Sequence, residues 1–143
     1  MSYDIKINNG DLALLNGDLK KAVDSEKLIQ DILKLCLTAA GSNPMAPWYG
    51  SFLSRSIIGN PMDNSMIEDI AKSQINSALE NFKTLQNLQV KSFQYVTADE
   101  QLGAILGIIV TRNSNDFRLF DITIKVITKG FKPITTAFKV STI

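Results

Sequence analysis

The sequence contains no histidine and a single cysteine, Cys36. Without imidazole there is no Ser-His or Cys-His nucleophile pair and no histidine metal ligand, and one thiol forms neither an intramolecular disulfide nor a thiolate zinc cluster. Long hydrophobic runs are also missing. Runs such as Ala104 to Val110 fall far short of the roughly 18 residues that a membrane span requires. The start, "MSYDIKI", has no basic region followed by a greasy stretch, so no secretory signal is visible and synthesis in the cytoplasm is expected. A strong charge of either sign is absent too: the formal net charge is +1, without the basic excess of a nucleic-acid binder. No cofactor, metal, nucleic acid or membrane partner is expected.

What is present suits one globular domain spanning 1–143: 143 residues, 45% of them apolar and 20% charged. Charge is uneven along it. Residues 112–143 carry Arg112, Arg118, Lys125, Lys129, Lys132 and Lys139 against only Asp116 and Asp121, which makes the C-terminal part the cationic end.

A short repeat stands near the start, where Asn9-Gly10-Asp11-Leu12 returns as Asn16-Gly17-Asp18-Leu19. Tyr3 to Ile7 alternates like a half-buried strand, and each Asn-Gly supplies the positive-φ pair of a tight turn. The repeat therefore reads as two turns bracketing one short strand, Leu12 to Leu15. A calcium loop would need several more oxygen ligands and a distal Glu. After Asp24 or Ser25 as N-cap, apolar residues at Leu28/Ile29, Ile32/Leu33 and Cys36/Leu37 predict a helix from about Ser25 to Ala40, with Gly41 as its left-handed stop and Pro44 beyond. Cys36 lies on the apolar stripe as a small buried hydrophobe.

Gly41 to Pro61 combines three prolines with adjacent Trp48 and Tyr49 and room for a short helix around Ser51 to Ile57. Such aromatics on stiffened backbone anchor either to the domain's own core or to a partner. Ser65-Met66-Ile67-Glu68 matches a capping box, and Ile67, Ile70, Ala71, Ile75, Ala78, Leu79 and Phe82 continue it as an amphipathic helix of about 18 residues. From Leu88 the period becomes two. Leu88–Thr97, Leu102–Arg112 and Phe117–Thr128 are expected as antiparallel strands, the middle one central, with Leu102, Ala104, Leu106, Ile108 and Val110 on one face and room at Gly103 and Gly107 for a helix. The third should show Ile122, Ile124 and Val126 to the core. A last strand puts Ile134, Thr136, Phe138 and Val140 on one face; it either joins the same sheet or pairs as an edge with another chain. The fold class is α+β: an N-terminal β-hairpin, two main amphipathic helices and a mostly antiparallel C-terminal sheet of three or four strands.

The order of these pieces resembles the baseplate wedge, or sheath initiator, family of contractile-tailed phages, which includes baseplate assembly protein W and lysozyme-like relatives in tailocin and type VI secretion baseplates. The resemblance rests on Asp4 to Ile7 ("DIKI"), Gly10 to Leu12 ("GDL"), Leu28 to Leu33 ("LIQDIL"), Thr38 to Gly41 ("TAAG"), Pro47 to Gly50 ("PWYG") and Ile58-Gly59. It implies a structural, non-enzymatic protein of the virion tail baseplate, assembled in the host cytoplasm in six copies per baseplate. Its implied partners are wedge proteins, held by Gly41, Pro47, Trp48, Tyr49 and Gly50; tail sheath subunits, met by the strand of Ile134, Thr136, Phe138 and Val140; and tail tube or hub proteins. Where the family has a Glu and an Arg after the helix-ending glycine, this chain has Ser42 and Asn43, and Trp48 is expected to supply apolar area in their stead. The alternatives are a lysozyme-like glycoside hydrolase using carboxylates among Asp11, Asp18, Glu68 and Asp69, or a small calcium- or sugar-binding module on the NGDL turns.

Overall fold

The structure, a computed structural model, describes residues 2–59 and 63–141. Its N-terminal repeat builds more than a hairpin. Six short strands, β1 (Tyr3–Ile5), β2 (Ile7–Asn8), β3 (Asp11–Leu12), β4 (Leu14–Leu15), β5 (Asp18–Leu19) and β6 (Lys21–Val23), pair antiparallel as β1–β6, β2–β3 and β4–β5. Three residues spaced by seven tie the arms together in a ring: Lys6 N–H donates to Lys20 C=O, Lys20 N–H to Ala13 C=O, and Ala13 N–H to Lys6 C=O, at 2.8, 2.8 and 2.9 Å. Asn9-Gly10 and Asn16-Gly17 turn with φ of 51° and 84°, then 52° and 86°, the left-handed pair that Asn-Gly adopts at small cost. The repeat is thus the backbone signature of a three-armed pinwheel. Cross-strand pairs Ile7↔Leu12 and Leu14↔Leu19 put their side chains on an outward face, while Asp4 and buried Ala22 face the first helix.

That helix, α1 (Asp24–Leu37), buries Leu28, Ile32, Leu35 and Cys36. It stops three residues before the expected Ala40 because Thr38 turns extended, its N–H and hydroxyl both donating to Lys34 C=O; Gly41, with φ 81°, serves the turn that follows. α2 (Leu53–Ile57) plants Leu53 and Ile57 in the core. α3 (Asn64–Lys91) begins before the proposed capping box, has no side-chain cap bond among the described residues, and runs 28 residues, so that Leu88–Thr97, expected as a strand, is helix as far as Lys91 and forms no strand beyond it. The helical face is carried on by Gln86, whose polarity hides it in the pattern. Its amide is buried, donating to Glu100 C=O (2.9 Å) and accepting from Leu102 N–H (2.7 Å), so it satisfies two backbone groups of the turn into the sheet. The reciprocal capping box instead forms at Thr97 and Glu100, in a 3-10 turn over Ala98–Glu100.

The sheet has three strands in the order β7 (Leu102–Arg112), β8 (Leu119–Thr128), β9 (Pro133–Ser141), all antiparallel. Central position falls to β8, whose Phe120, Ile122, Ile124 and Val126 are all buried; the strand expected to be central, β7, is an edge. Irregular register between Leu102 and Ala104, and again between Ile105 and Gly107, shifts the phase of β7. Leu102, Ile105, Ile108 and Val110 reach the core, while Leu106 is 60% exposed. Gly103 accommodates no helix: a Cβ there would lie 2.8 Å from the backbone oxygens of Ile127 and Thr128 on β8. Around Gly107 there is open space. One cluster from α1, α2, α3 and the inner face of the sheet forms the core.

Two outcomes follow from this packing. Gln86→Leu, which leaves a buried N–H and C=O without partners, should cost roughly 2–4 kcal/mol in urea unfolding. Gly103→Ala should cost about 1–3 kcal/mol through overpacking against β8, whereas Gly107→Ala should stay within about 0.5 kcal/mol of the parent.

Candidate functional site

Two surfaces carry the residues singled out by the sequence. The first is the loop after α1. Ala40 N–H donates to Ser51 C=O and Ser51 N–H to Thr38 C=O, both at 2.9 Å, and the buried Ser51 hydroxyl donates to Cys36 C=O at 2.7 Å. These bonds fasten both ends of the loop to the helix end. Gly50 makes the closure sterically feasible: its φ is 111°, and a Cβ would lie 2.6 Å from Thr38 O. On this frame the two aromatics differ in burial. Tyr49 packs against the core, whereas Trp48 is 59% exposed and meets Tyr49 edge-on, with centroids 6.3 Å apart. Gly41 and Pro47 are exposed beside them, and Asn43 accepts Met45 N–H in an Asx turn. Burial raises the Tyr49 hydroxyl's pKa, and the nearby Lys34 charge only partly opposes it.

The second surface is the free edge of β9. Thr128 N–H donates to Lys132 C=O, which fixes the phase of the β8–β9 ladder. Ile134, Thr136, Phe138 and Val140 therefore bond inward to β8, and their side chains face the core: Ile134 and Thr136 are buried, Phe138 and Val140 half-buried. The outward N–H and C=O groups belong to Thr135, Ala137 and Lys139, which alternation in the sequence did not single out. Among the described residues no hydrogen bond reaches these groups. Pro133, with no N–H, ends the ladder on that side.

Beside this edge lies a trough of about 730 Å³. Its floor is the exposed side of α1 at Ile29, Leu33 and Leu37, its near wall Ala137 and Phe138, and its far wall the pinwheel at Ile7 and the Asn9-Gly10 turn. Charges on its rim are matched internally. Lys6 pairs with Glu26 at 2.8 Å, and Lys34 pairs with Asp4 and, at 3.2 Å, with Asp31. Partial burial works to raise the Asp4 pKa, but hydrogen bonds from Lys34 and Gln30 and the Lys34 charge prevail and lower it. For Lys34, desolvation pulls down and the Asp4 and Asp31 partners prevail, raising the pKa.

The acids considered for hydrolysis are not gathered. Asp11 and Asp18 sit exposed at turns, and Glu68 and Asp69 lie on the first turns of α3. The trough holds one carboxylate, Glu26, and a second cleft between α3 and β7 holds one, Glu80. Cys36 is buried, its thiol pushed up to about 12 by desolvation, so it is protonated and inert near neutrality. Among the described residues no group of three or more Cys, Asp or Glu is placed to hold a metal ion, and no helix is long and apolar enough to cross a membrane.

No protein-family model matches the chain, and neither does any curated sequence. Its fold is shared with the crystal structure of a protein from Geobacter sulfurreducens provisionally named a tail lysozyme. The TM-score is 0.62 over 81% of this chain and 88% of that one, at 12% identity.

The ion pairs set a pH dependence. A lowered Asp4 pKa contributes stability that is present above the ordinary value of 3.8 and disappears as pH falls through the folded-state value; a raised Lys34 pKa contributes stability present below 10.5 and lost as pH rises through its own. Asp4→Asn should therefore make thermal unfolding less sensitive to acid between about pH 5 and about pH 2 than in the parent.

Proposed function

We propose that this chain is a non-enzymatic structural part of a contractile phage tail. In this reading it sits in the baseplate in six copies, attaches to the wedge through Gly41 to Gly50, and starts sheath polymerisation by adding a neighbour's strand to β9. Assembly takes place in the host cytoplasm, and contacts to tube or hub proteins complete its surroundings. The open backbone ladder at Thr135, Ala137 and Lys139 carries the proposal. An unpaired edge beside an apolar trough is a template for another chain, and backbone bonds give such a joint a defined geometry. The shared fold with a protein named a tail lysozyme, and the sequence resemblance to sheath initiators, support the setting.

The neighbour's name keeps a second reading in view, glycoside hydrolysis. Cleavage by either standard route needs two carboxylates flanking the bond, about 5 to 9.5 Å apart. Each of the two clefts offers one.

Removing β9 outright would take the buried Ile134 with it, so the informative change is Ala137→Pro, which deletes an N–H that faces away from β8. In a tail-assembly complementation, Ala137→Pro should give baseplates that carry the protein but no sheath, and Trp48→Ala should leave baseplates lacking it. Normal sheathed tails from Ala137→Pro would sink the strand-addition account. Incubated with peptidoglycan, the purified protein should release no new reducing ends; turnover abolished by replacing Glu26 or Glu80 would establish the hydrolase instead.

A further inference from the structure

The trough beside β9 restricts which strand can be added. A strand pairs about 4.7–4.9 Å from its neighbour, so a chain bonded to Thr135, Ala137 and Lys139 lies inside the trough and not above it. Its side chains alternate between two faces. Those on the face shared with Thr136 and Phe138 descend onto α1, where they meet Leu33 and Leu37; the others leave toward solvent. Leu37, at the end of the partly exposed row Ile29, Leu33 and Leu37, is itself 60% exposed. Inward-facing positions would meet no unmatched charge, because Lys6, Glu26, Lys34, Asp4 and Asp31 are engaged with one another. The far wall offers no second ladder at this point, since Ile7 N–H already donates to Gln30 Oε1 at 2.9 Å. Pro133 bounds the segment at one end.

Resting on the strand-addition reading above, we propose that β9 accepts a single short strand from a partner protein, selected for uncharged apolar side chains at every second position, and that Leu33 and Leu37 of α1 are its specificity-determining residues. The occupant is an extended protein segment, since a helix cannot use the backbone groups of β9, and a second strand would find the Ile7 N–H already bonded to Gln30.

The test uses a fluorescein-labelled, N-acetylated and C-amidated nonapeptide that alternates valine with threonine and lysine, titrated against the full chain by fluorescence anisotropy. Two controls accompany it: the same residues rearranged so that valines are never two apart, and the alternating peptide N-methylated on the amides of one edge, in two versions that together cover both edges. Saturable binding is expected for the alternating peptide and for its version N-methylated on the outer edge, and not for the rearranged peptide or the version that blocks the β9-facing edge. Leu37→Asp should weaken it about tenfold or more, since a carboxylate is then set against an apolar side chain without a partner, and Leu33→Asp should act in the same direction. Leu37 is exposed enough that its replacement leaves the fold standing, which thermal unfolding checks.

Indifference to both N-methylations would remove strand addition itself. Binding that is sensitive to N-methylation but unchanged by Leu33→Asp and Leu37→Asp would leave strand addition intact and overturn the role given to α1. Equal binding of the rearranged peptide, or no binding of any peptide, would also overturn the proposed selectivity.

Discussion

Every backbone N–H and C=O taken out of water needs a partner, and the C-terminal sheet meets this demand unequally. β8 is satisfied on both sides, by β7 and β9, and it supplies the buried row Phe120, Ile122, Ile124 and Val126 on which α1 and α3 converge. Among the described residues, β9 is bonded on one side only, no hydrogen bond reaching the backbone groups of Thr135, Ala137 and Lys139. Its inner groups are spent on β8, and the phase of that ladder decides that Thr135, Ala137 and Lys139 face outward. Among the described residues no group of three or more Cys, Asp or Glu is placed to hold a metal ion, and burial keeps the Cys36 thiol protonated.

The same demand shapes the N-terminus. Strands of two or three residues are too short to persist alone, yet the ring through Lys6, Ala13 and Lys20 lets each arm exchange partners without leaving these three groups unpaired. The pinwheel is then held to α1 by Gln30, which bonds Asp4, Ile5 C=O and Ile7 N–H, and by the Asp4–Lys34 pair. This attachment positions Ile7 and the Asn9-Gly10 turn as the far wall of the trough. A motif that looked like punctuation thus helps to set the width of the candidate binding surface.

Much of this was legible in the sequence where local pattern and tertiary environment agree. The alternation of Ile122, Ile124 and Val126, the Asn-Gly turns, the stripe of α1 and the short helix after Trp48 all appear as expected. Legibility failed where one residue answered to a distant partner. Gln86 is polar because it serves the backbone at Glu100 and Leu102, and so it concealed the last turns of α3. Two irregularities in β7 changed which residues face the core, an effect of chain geometry that no period-two count registers. Of the candidate contact residues, Trp48 could be picked out by type and setting. The outward ladder could not, since it depends on hydrogen-bond phase and any residue but proline supplies it.

In the proposed function, the exposed Trp48 on a loop pinned at both ends and the strand edge over an apolar floor would be two separate attachment points, one for the wedge and one for a neighbour that polymerises. The most direct measurement is an electron-microscopy map of the assembled tail at a resolution that separates strands. The account predicts an extended segment of a neighbouring protein running about 4.8 Å beyond β9, with alternate side chains resting on Leu33 and Leu37. A β9 edge facing solvent in that map, or one packed against a helix, would contradict it.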